Sequence, residues 1–568
     1  MHILGISTTI DAGAALISDG EIVAAVGEER LTRHKFQSGI PAGAIRTVMD
    51  LAGIRPADVD AVALSDDAYS LYTDADEESF DRVNLSKQLT GLLADLGVLR
   101  WLLGSRSGIG LYKRAFRVLL ERALRAVRRC LREVGVTAPI VPVDHHTAHA
   151  AACAMTSGWD PCLAITVDLS GGGYCSLVGR WRDGRFDVLK RVGAFHSLGV
   201  FYSYVTELLG HKPGREGKVT GLSAHGDPWA TLSIFRRYCR YNPRTEQVEC
   251  HRRGVACDYR SLAADLRPFS HADIAAGIQR HFENEIARCV AAYVKRWGLK
   301  HVTLAGGCFA NVRVNQVIRE LPGVENVYVF PAMGDGGGGP GAALWWWNHT
   351  TGGRPRPLER VYLGPGFTND DCRAVLDRTA GVRYRTVDDI ESALAQHVAD
   401  GKVVARFRGR MEFGPRALGN RSILYQPTDP TVNDWLNRQL RRTEYMPFAP
   451  SVLEEHARDY FIDWRPSDRA AWFMTATYHT TPHCRRAAPA IVHVDGTARP
   501  QVVRREHTPS YHRLISRYHE LTGLPILINT SFNMHEQPIV CTPSDAVRAF
   551  LAARLDMLAL EDYLVERA

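Results

Sequence analysis

At 568 residues the chain exceeds what a single hydrophobic core normally supports, so at least two domains are expected. Its 45% hydrophobic and 23% charged content excludes a disordered, collagenous or coiled-coil chain, and a formal charge of +7 suits an anionic small ligand as readily as nucleic acid. The start at Met1-His2-Ile3-Leu4 has no basic leader, no apolar run reaches the ~18 residues of a membrane helix, and 12 cysteines occur without a CxxC pair, so a cytoplasmic chain with structural thiols is expected.

The first pattern is Ile3-Leu4-Gly5-Ile6-Ser7, then Ala14-Ala15-Leu16-Ile17-Ser18, then Asp19-Gly20, then Glu21-Ile22-Val23-Ala24-Ala25-Val26. It predicts three antiparallel strands, because Asp-Gly supplies the positive φ of a two-residue hairpin. From Cys162 the pattern recurs as Leu163-Ala164-Ile165-Thr166-Val167-Asp168, the run Ser170-Gly171-Gly172-Gly173, a strand from Tyr174, a second turn at Asp183-Gly184, and a strand from Arg185. A duplicated meander with a polar loop after its first strand resembles the ribonuclease-H-like core of the actin, sugar-kinase and Hsp70 ATPases. Two unrelated hairpins would give the same local pattern.

Between the copies, leucines at helical spacing and eight Lys and Arg from Lys113 to Arg132 predict basic amphipathic helices over roughly 85–135. Aromatic interleaving is sparse there, so a solvated or substrate-facing surface is expected rather than a nucleic-acid face. In His145-His146-Thr147-Ala148-His149 the outer histidines lie four apart, so on a helix they project from one face and can hold one ion. A pair of ordinary polar histidines is the plainer alternative. Asp168, and Asp335 in Met333-Gly334-Asp335-Gly336, are the natural further ligands. Two nitrogens and two oxygens with open positions suit Fe(II), Mn(II) or Zn(II) better than magnesium.

Gly214-Arg215-Glu216-Gly217-Lys218 offers a cation for phosphate with an acid that can hold it, and a surface turn is the alternative. In Leu304-Ala305-Gly306-Gly307-Cys308-Phe309-Ala310-Asn311, after the strand at His301, glycines let backbone approach a nucleotide and Asn311 offers an amide for ribose or base. A helix ending in Trp345-Trp346-Trp347 leads to a Gly/Pro run at 350–357, the best linker in the chain, which sets two domains at 1–355 and 356–568. Beyond it, Lys402 to Phe407 reads as a strand within an α/β mixture. Arg410-Met411-Glu412-Phe413-Gly414-Pro415-Arg416-Ala417-Leu418-Gly419-Asn420-Arg421-Ser422 gathers three guanidinium forks suited to phosphate or carbamate oxygens. Arg499 and the loop Asn529-Thr530-Ser531-Phe532-Asn533 can complete an anion site. Thr542-Pro543-Ser544-Asp545 marks a helix start.

HHTAHA, TVDLSGGG, EGKVTGLSAHG, LAGGCFANVRVN, GDGGGGPGAA, GRMEFGPRALGNRSIL, MPFAPSVLEE, DGTARPQV and LINTSFN stand in the order found in nodulation-protein-U and cephamycin-type O-carbamoyltransferases, which the chain resembles from end to end. The resemblance implies a first domain like the metal-bearing subunit of the tRNA threonylcarbamoyl-modification machinery. It implies a second, α/β domain like that machinery's threonylcarbamoyl-AMP synthase, which here makes carbamoyl adenylate from ATP and carbamoyl phosphate. The carbamoyl group then passes to a hydroxyl of a small-molecule acceptor, a sugar or specialised metabolite of the kind found in antibiotic biosynthesis.

Carried over by motif, His145, His149, Asp168 and Asp335 would be iron-type metal ligands. Glu216, Lys218, Gly306, Gly307 and Asn311 would face the adenylate, and Arg416, Arg499, Asn529 and Ser531 would bind carbamoyl phosphate. A membrane partner is excluded, nucleic acid is not the expected partner, and magnesium and an oligomeric assembly stay open. Where family members carry a histidine in the first loop, this chain reads Thr8-Thr9-Ile10-Asp11. Isoleucine takes no proton, so Asp11 or else His146 is expected to serve as base toward the acceptor, with Asp11 preferred because it already lies on that loop. Leu440 and Met446 stand where tobramycin- and novobiocin-like members carry lysine and arginine, with Arg441 and Arg442 nearby. Two other readings stay open: an acyl-adenylate enzyme acting on tRNA, and a variant whose transfer chemistry is altered through Ile10.

Overall fold

Both Asp-Gly pairs adopt the positive φ that a tight hairpin requires: 46° and 79° at Asp19 and Gly20, 53° and 71° at Asp183 and Gly184. In the first copy β1 (His2–Ser7), β2 (Gly13–Ser18) and β3 (Glu21–Gly27) form an antiparallel meander. The parallel strands β4 (Ala61–Asp66) and β5 (Ile140–Asp144) extend it to the order β3-β2-β1-β4-β5. The second copy repeats this with β6 (Cys162–Gly171), β7 (Tyr174–Arg182) and β8 (Arg185–Gly193). After a hairpin of β9 (Cys239–Asn242) and β10 (Gln247–Cys250), the parallel strands β11 (His301–Ala305) and β12 (Asn326–Val329) complete the order β8-β7-β6-β11-β12. Strand order and pairing sense match between the two sheets, which is the duplicated ribonuclease-H-like architecture of the actin and sugar-kinase cores.

The structure is a computed structural model describing residues 1–66, 106–250, 259–440 and 446–568. It divides into two compact units, the first comprising 1–28 and 36–358, the second 29–35 and 359–568. Of the basic stretch, the described part is one helix, Arg106–Glu133; the remainder lies outside the described residues, as do Arg441 and Arg442. The main core of the first unit packs Ile278, Phe282, Ile286 and Val290 of the helix His271–Trp297 with Leu163, Ile165, Val302 and Leu304 of the second sheet. Among the described residues no helix is long and apolar enough to cross a membrane.

The second unit is built on an eight-stranded mixed sheet of order β13-β22-β21-β14-β15-β20-β16-β19. Its strands are β13 (Val382–Thr386), β14 (Val404–Phe407), β15 (Arg421–Tyr425), β16 (Ala449–Leu453), β19 (Gln501–Val503), β20 (Ile526–Ser531), β21 (Met557–Leu560) and β22 (Tyr563–Arg567). A separate ribbon pairs β17 (Tyr478–His479) with β18 (Thr497–Ala498). The helices Ile390–Ala399 and Pro509–Thr522 bury Leu394, Val398, Leu514 and Ile515 in a core shared with Val404, Leu424 and Leu527 of the sheet. Thr542 starts the helix Pro543–Ala552 with a full capping box closed by Asp545. The early segment 29–35 belongs here because Arg33 donates to the carbonyls of Pro538 and Ile539, both at 2.6 Å, and Arg30 to that of Gly414 at 2.9 Å.

Candidate functional site

The helix His145–Thr156 begins where β5 ends because Asp144 caps it. The Asp144 carboxylate accepts the Thr147 amide at 3.1 Å and its hydroxyl at 2.9 Å, and pairs with Arg191 at 2.6 Å. His145 thus occupies the first helical position and His149 lies one turn on; both rings are buried. Asp168 comes from the end of β6, oriented by the Leu169 amide on Oδ1 (2.7 Å) and the Gly307 amide on Oδ2 (3.2 Å). Asp335 arrives on the loop before the helix Gly338–Thr351, which runs at backbone contact with its neighbours. A Cβ on Gly341 would stand 2.0 Å from the Ala148 carbonyl oxygen, and one on Gly5 would stand 2.1 Å from that of Gly339.

His149 Nε2 lies 3.3 Å from Asp168 Oδ2 and 3.4 Å from Asp335 Oδ1; the corresponding His145 distances are 3.7 and 3.8 Å. All four donor atoms fall within 4.8 Å of one another. Donors ~2.1 Å from a shared ion are ~3.0 to 3.4 Å apart at right to tetrahedral angles, so this spacing fits one divalent ion with little adjustment. Burial raises the Asp168 carboxyl, but the hydrogen bonds and charges of the two histidines outweigh it and hold Asp168 well below the usual carboxylate range. At His149 burial lowers the imidazole, and the bonds to Asp168 and Asp335 more than reverse it. Asp11 is half-buried beside the cluster. Cβ atoms on Gly334 and Gly336, the neighbours of Asp335, would lie 3.3 Å from its Oδ2 and 3.6 Å from its Cβ.

In the second unit β20 carries Asn529 between Leu424 of β15 and Ala449 of β16. Asn529 Nδ2 donates to Ser451 Oγ at 3.0 Å, to Gln501 Oε1 at 2.9 Å and to the Ala417 carbonyl at 3.3 Å. Arg416 immediately precedes Ala417, Arg499 stands two residues before Gln501, and Ser531 lies two residues along β20. The sheet therefore gathers segments separated by more than 100 residues around one buried amide.

The Carbamoyltransferase N-terminus family matches residues 2–344, and the Carbamoyltransferase C-terminus family matches residues 395–567. The chain is 33% identical to the nodulation protein NolNO of Sinorhizobium fredii, over 98% of this chain and 79% of that one. It is 35% identical to nodulation protein NolO of Bradyrhizobium diazoefficiens (75% and 79%), and 28% identical to nodulation protein U of Rhizobium tropici (94% and 91%). The chain belongs to the carbamoyltransferase family. It is an enzyme that transfers carbamoyl groups, and its first unit carries a cluster able to hold a metal ion.

Within this carbamoyltransferase the motif residues separate into groups that converge and groups tied up by the fold. His145, His149, Asp168 and Asp335 converge. His146 does not join them. Its Nε2–H donates to the Tyr174 carbonyl at 3.1 Å, its Nδ1 accepts from the Thr166 hydroxyl at 2.7 Å, and Thr166 accepts the Leu177 amide at 3.0 Å. Burial lowers its pKa to about 3, so it is a neutral ring with both nitrogens engaged, which weighs against the expectation that it serves as base.

Asn311 is engaged in the same way. Its Oδ1 caps the helix Val312–Arg319 through the amides of Arg313 and Val314, while its Nδ2 donates to Gln279 Oε1 at 2.8 Å and Thr220 Oγ1 at 3.4 Å. These bonds tie the amide to the helix cap and to Gln279 and Thr220. The close approach permitted by Gly306 (φ 102°) is to the Val167 carbonyl, 2.3 Å from where a Cβ would sit, and the Gly307 amide serves Asp168. Glu216 accepts from Ser203 at 2.9 Å and from the Gly214 amide at 3.2 Å, so it shapes its own loop; Lys218 lies in the first turns of the same helix, half-buried.

Two of the three arginines of the 410–422 segment prove structural. Arg421, fully buried, donates to the carbonyls of Arg408, Asn420, Pro365 and Gly409 and stacks on Phe407 at 3.6 Å. Arg410 donates to the carbonyls of Leu363 and Gly364. Sequence reasoning overlooked Glu412, whose Oε1 accepts the amides of Leu418, Asn420 and Arg421 and so folds the loop that presents Arg416. It also overlooked Gln501 and Ser451, although both stand inside motifs already singled out.

Proposed function

We propose that this carbamoyltransferase makes carbamoyl adenylate in its second unit from carbamoyl phosphate and ATP, and in its first unit passes the carbamoyl group to a hydroxyl of a small-molecule acceptor, a sugar or specialised metabolite. The observation that carries the reading is the cluster of buried His145, His149 and Asp168 with half-buried Asp335 in the first unit of a two-domain carbamoyltransferase. Carbamoyl phosphate, ATP and one water give carbamoyl adenylate, phosphate and pyrophosphate. The acceptor oxygen then attacks the carbamoyl carbon, AMP leaves, and the hydroxyl proton passes to a base.

Arg416 and Arg499, close in sequence to the Ala417 and Gln501 partners of Asn529, hold the phosphate of carbamoyl phosphate. Asp11, beside the metal cluster and on the first loop, takes the acceptor proton. An Fe(II)-type divalent ion held by the four residues would stabilise negative charge on the carbamoyl oxygen or the AMP phosphate.

Incubating the enzyme with ATP, carbamoyl phosphate and a metabolite pool should release AMP and pyrophosphate only when both co-substrates are present. It should also yield a product heavier by about 43 Da, one carbamoyl replacing hydrogen. Absence of nucleotide turnover with both co-substrates supplied would sink the reading.

A further inference from the structure

The direction of every hydrogen bond around Asn529 is forced by one backbone carbonyl. Leu418 O can only accept, and it takes the Gln501 side chain at 2.8 Å, which identifies that atom as Nε2. Gln501 Oε1 is then an acceptor, receiving the Ser451 hydroxyl at 2.8 Å and Asn529 at 2.9 Å. The Asn529 atom facing Gln501, Ser451 and Ala417 must therefore be Nδ2. The usual ambiguity of an amide flip does not arise here, since reversing Asn529 would set oxygen against oxygen at Gln501 and at the Ala417 carbonyl. Ser451, Gln501 and Asn529 are 0%, 3% and 1% exposed.

What remains is Asn529 Oδ1, a buried acceptor with no hydrogen-bond partner among the described residues. A buried polar atom without a partner carries its full desolvation cost, and such atoms in folded proteins commonly await a ligand or a water. The segments that pin the nitrogen side also carry Arg416 and Arg499. On the proposed reading that these arginines hold the phosphate, a ligand here would have its anionic end at the guanidinium groups and its other end at the lone acceptor. Carbamoyl phosphate has that polarity, whereas acetyl phosphate, of nearly the same shape, presents a methyl group in place of the N–H donor.

We infer that Gln501 and Ser451 are positioning residues that lock the Asn529 amide with its oxygen toward the substrate, and that this oxygen selects an acyl phosphate bearing an N–H donor over one bearing methyl. The inference rests on the reading that the second unit binds carbamoyl phosphate. Its place in the fold gives it a signature that general loss of packing does not share: selectivity between two isosteric acyl phosphates.

The test measures pyrophosphate release by the full-length enzyme, giving the KM for carbamoyl phosphate, the KM for ATP and the inhibition constant of acetyl phosphate, with a thermal melt of each variant. For the wild type, acetyl phosphate should inhibit only at concentrations roughly 10- to 100-fold above the carbamoyl phosphate KM. Gln501→Met should raise that KM by about 10-fold and bring the two constants within about 3-fold of each other, leaving the ATP KM unchanged. Ser451→Ala should reduce the selectivity by about 3-fold or more, and it decides the matter should Gln501→Met fail to fold. Full selectivity in the folded variants, or a wild-type enzyme that does not discriminate, overturns the inference. A wild type releasing no pyrophosphate from ATP and carbamoyl phosphate overturns instead the reading beneath it.

Discussion

The two units handle charged motif residues in opposite ways. In the first, His145, His149, Asp168 and Asp335 come from three separated stretches of sequence and bring their donor atoms to one point. In the second, Arg410, Arg416 and Arg421 are neighbours in sequence, yet Arg410 and Arg421 turn to different backbone carbonyls. The lesson is that closeness along the chain does not make a site. A guanidinium that donates to four backbone carbonyls is committed to the fold, while two imidazoles and two carboxylates with donor atoms within 4.8 Å of one another form a cluster able to hold a metal ion.

The largest expected effect divides the units outright. Asp168→Asn or His149→Ala should lower carbamoyl transfer on the order of 10^4-fold and abolish metal binding in elemental analysis, with pyrophosphate release by the second unit kept within about 2-fold. Parallel loss of both activities would break the division.

Next, Asp11→Asn should lower transfer by roughly 10^2- to 10^3-fold with metal content intact. His146→Gln, by contrast, should weaken metal retention by roughly 10-fold, since His146 braces the strand that carries Asp168 rather than meeting the acceptor. Equal transfer defects at full metal occupancy would restore His146 as a candidate base.

The contrast among the arginines is smaller in rate but sharp in kind. Arg416→Met should raise the carbamoyl phosphate KM roughly 10- to 100-fold at an unchanged melting temperature, whereas Arg421→Met should cost about 3 kcal/mol or more of stability by stranding buried carbonyls. If Arg416→Met melted early and left KM alone, the second unit would have no separate anion-binding arginine there. The smallest effect is at Asn311: replacement by Ala should cost about 1 to 2 kcal/mol in chemical denaturation, as for other lost caps, and change the ATP KM by less than about 3-fold.

Several of these distinctions are legible in the sequence. The period-two strands, the two Asp-Gly turns and the repeat they mark are local properties of the chain, and β1–β3 and β6–β8 form where that pattern stands. The Thr542 capping box is equally local. The HxxxH spacing puts His145 and His149 on one helical face, and Asp168 and Asp335, beside glycine-rich turns, bring their carboxylates within 4.8 Å of those imidazoles.

Tertiary structure alone decided which polar groups are already satisfied. Nothing local distinguishes His146 from its neighbours; its fate depends on Thr166 and Tyr174, which only sheet pairing brings to it. The membership of 29–35 in the second unit likewise depends on two arginines reaching carbonyls more than 300 residues away. Gln501 and Ser451 gained their importance from the parallel pairing of β16 with β19, which sets them opposite each other. Hydrogen-bond saturation is a property of three-dimensional neighbours, so the sequence by itself determined the repeated strands and the four residues whose donor atoms cluster, and the assembled fold determined which other polar side chains are already engaged.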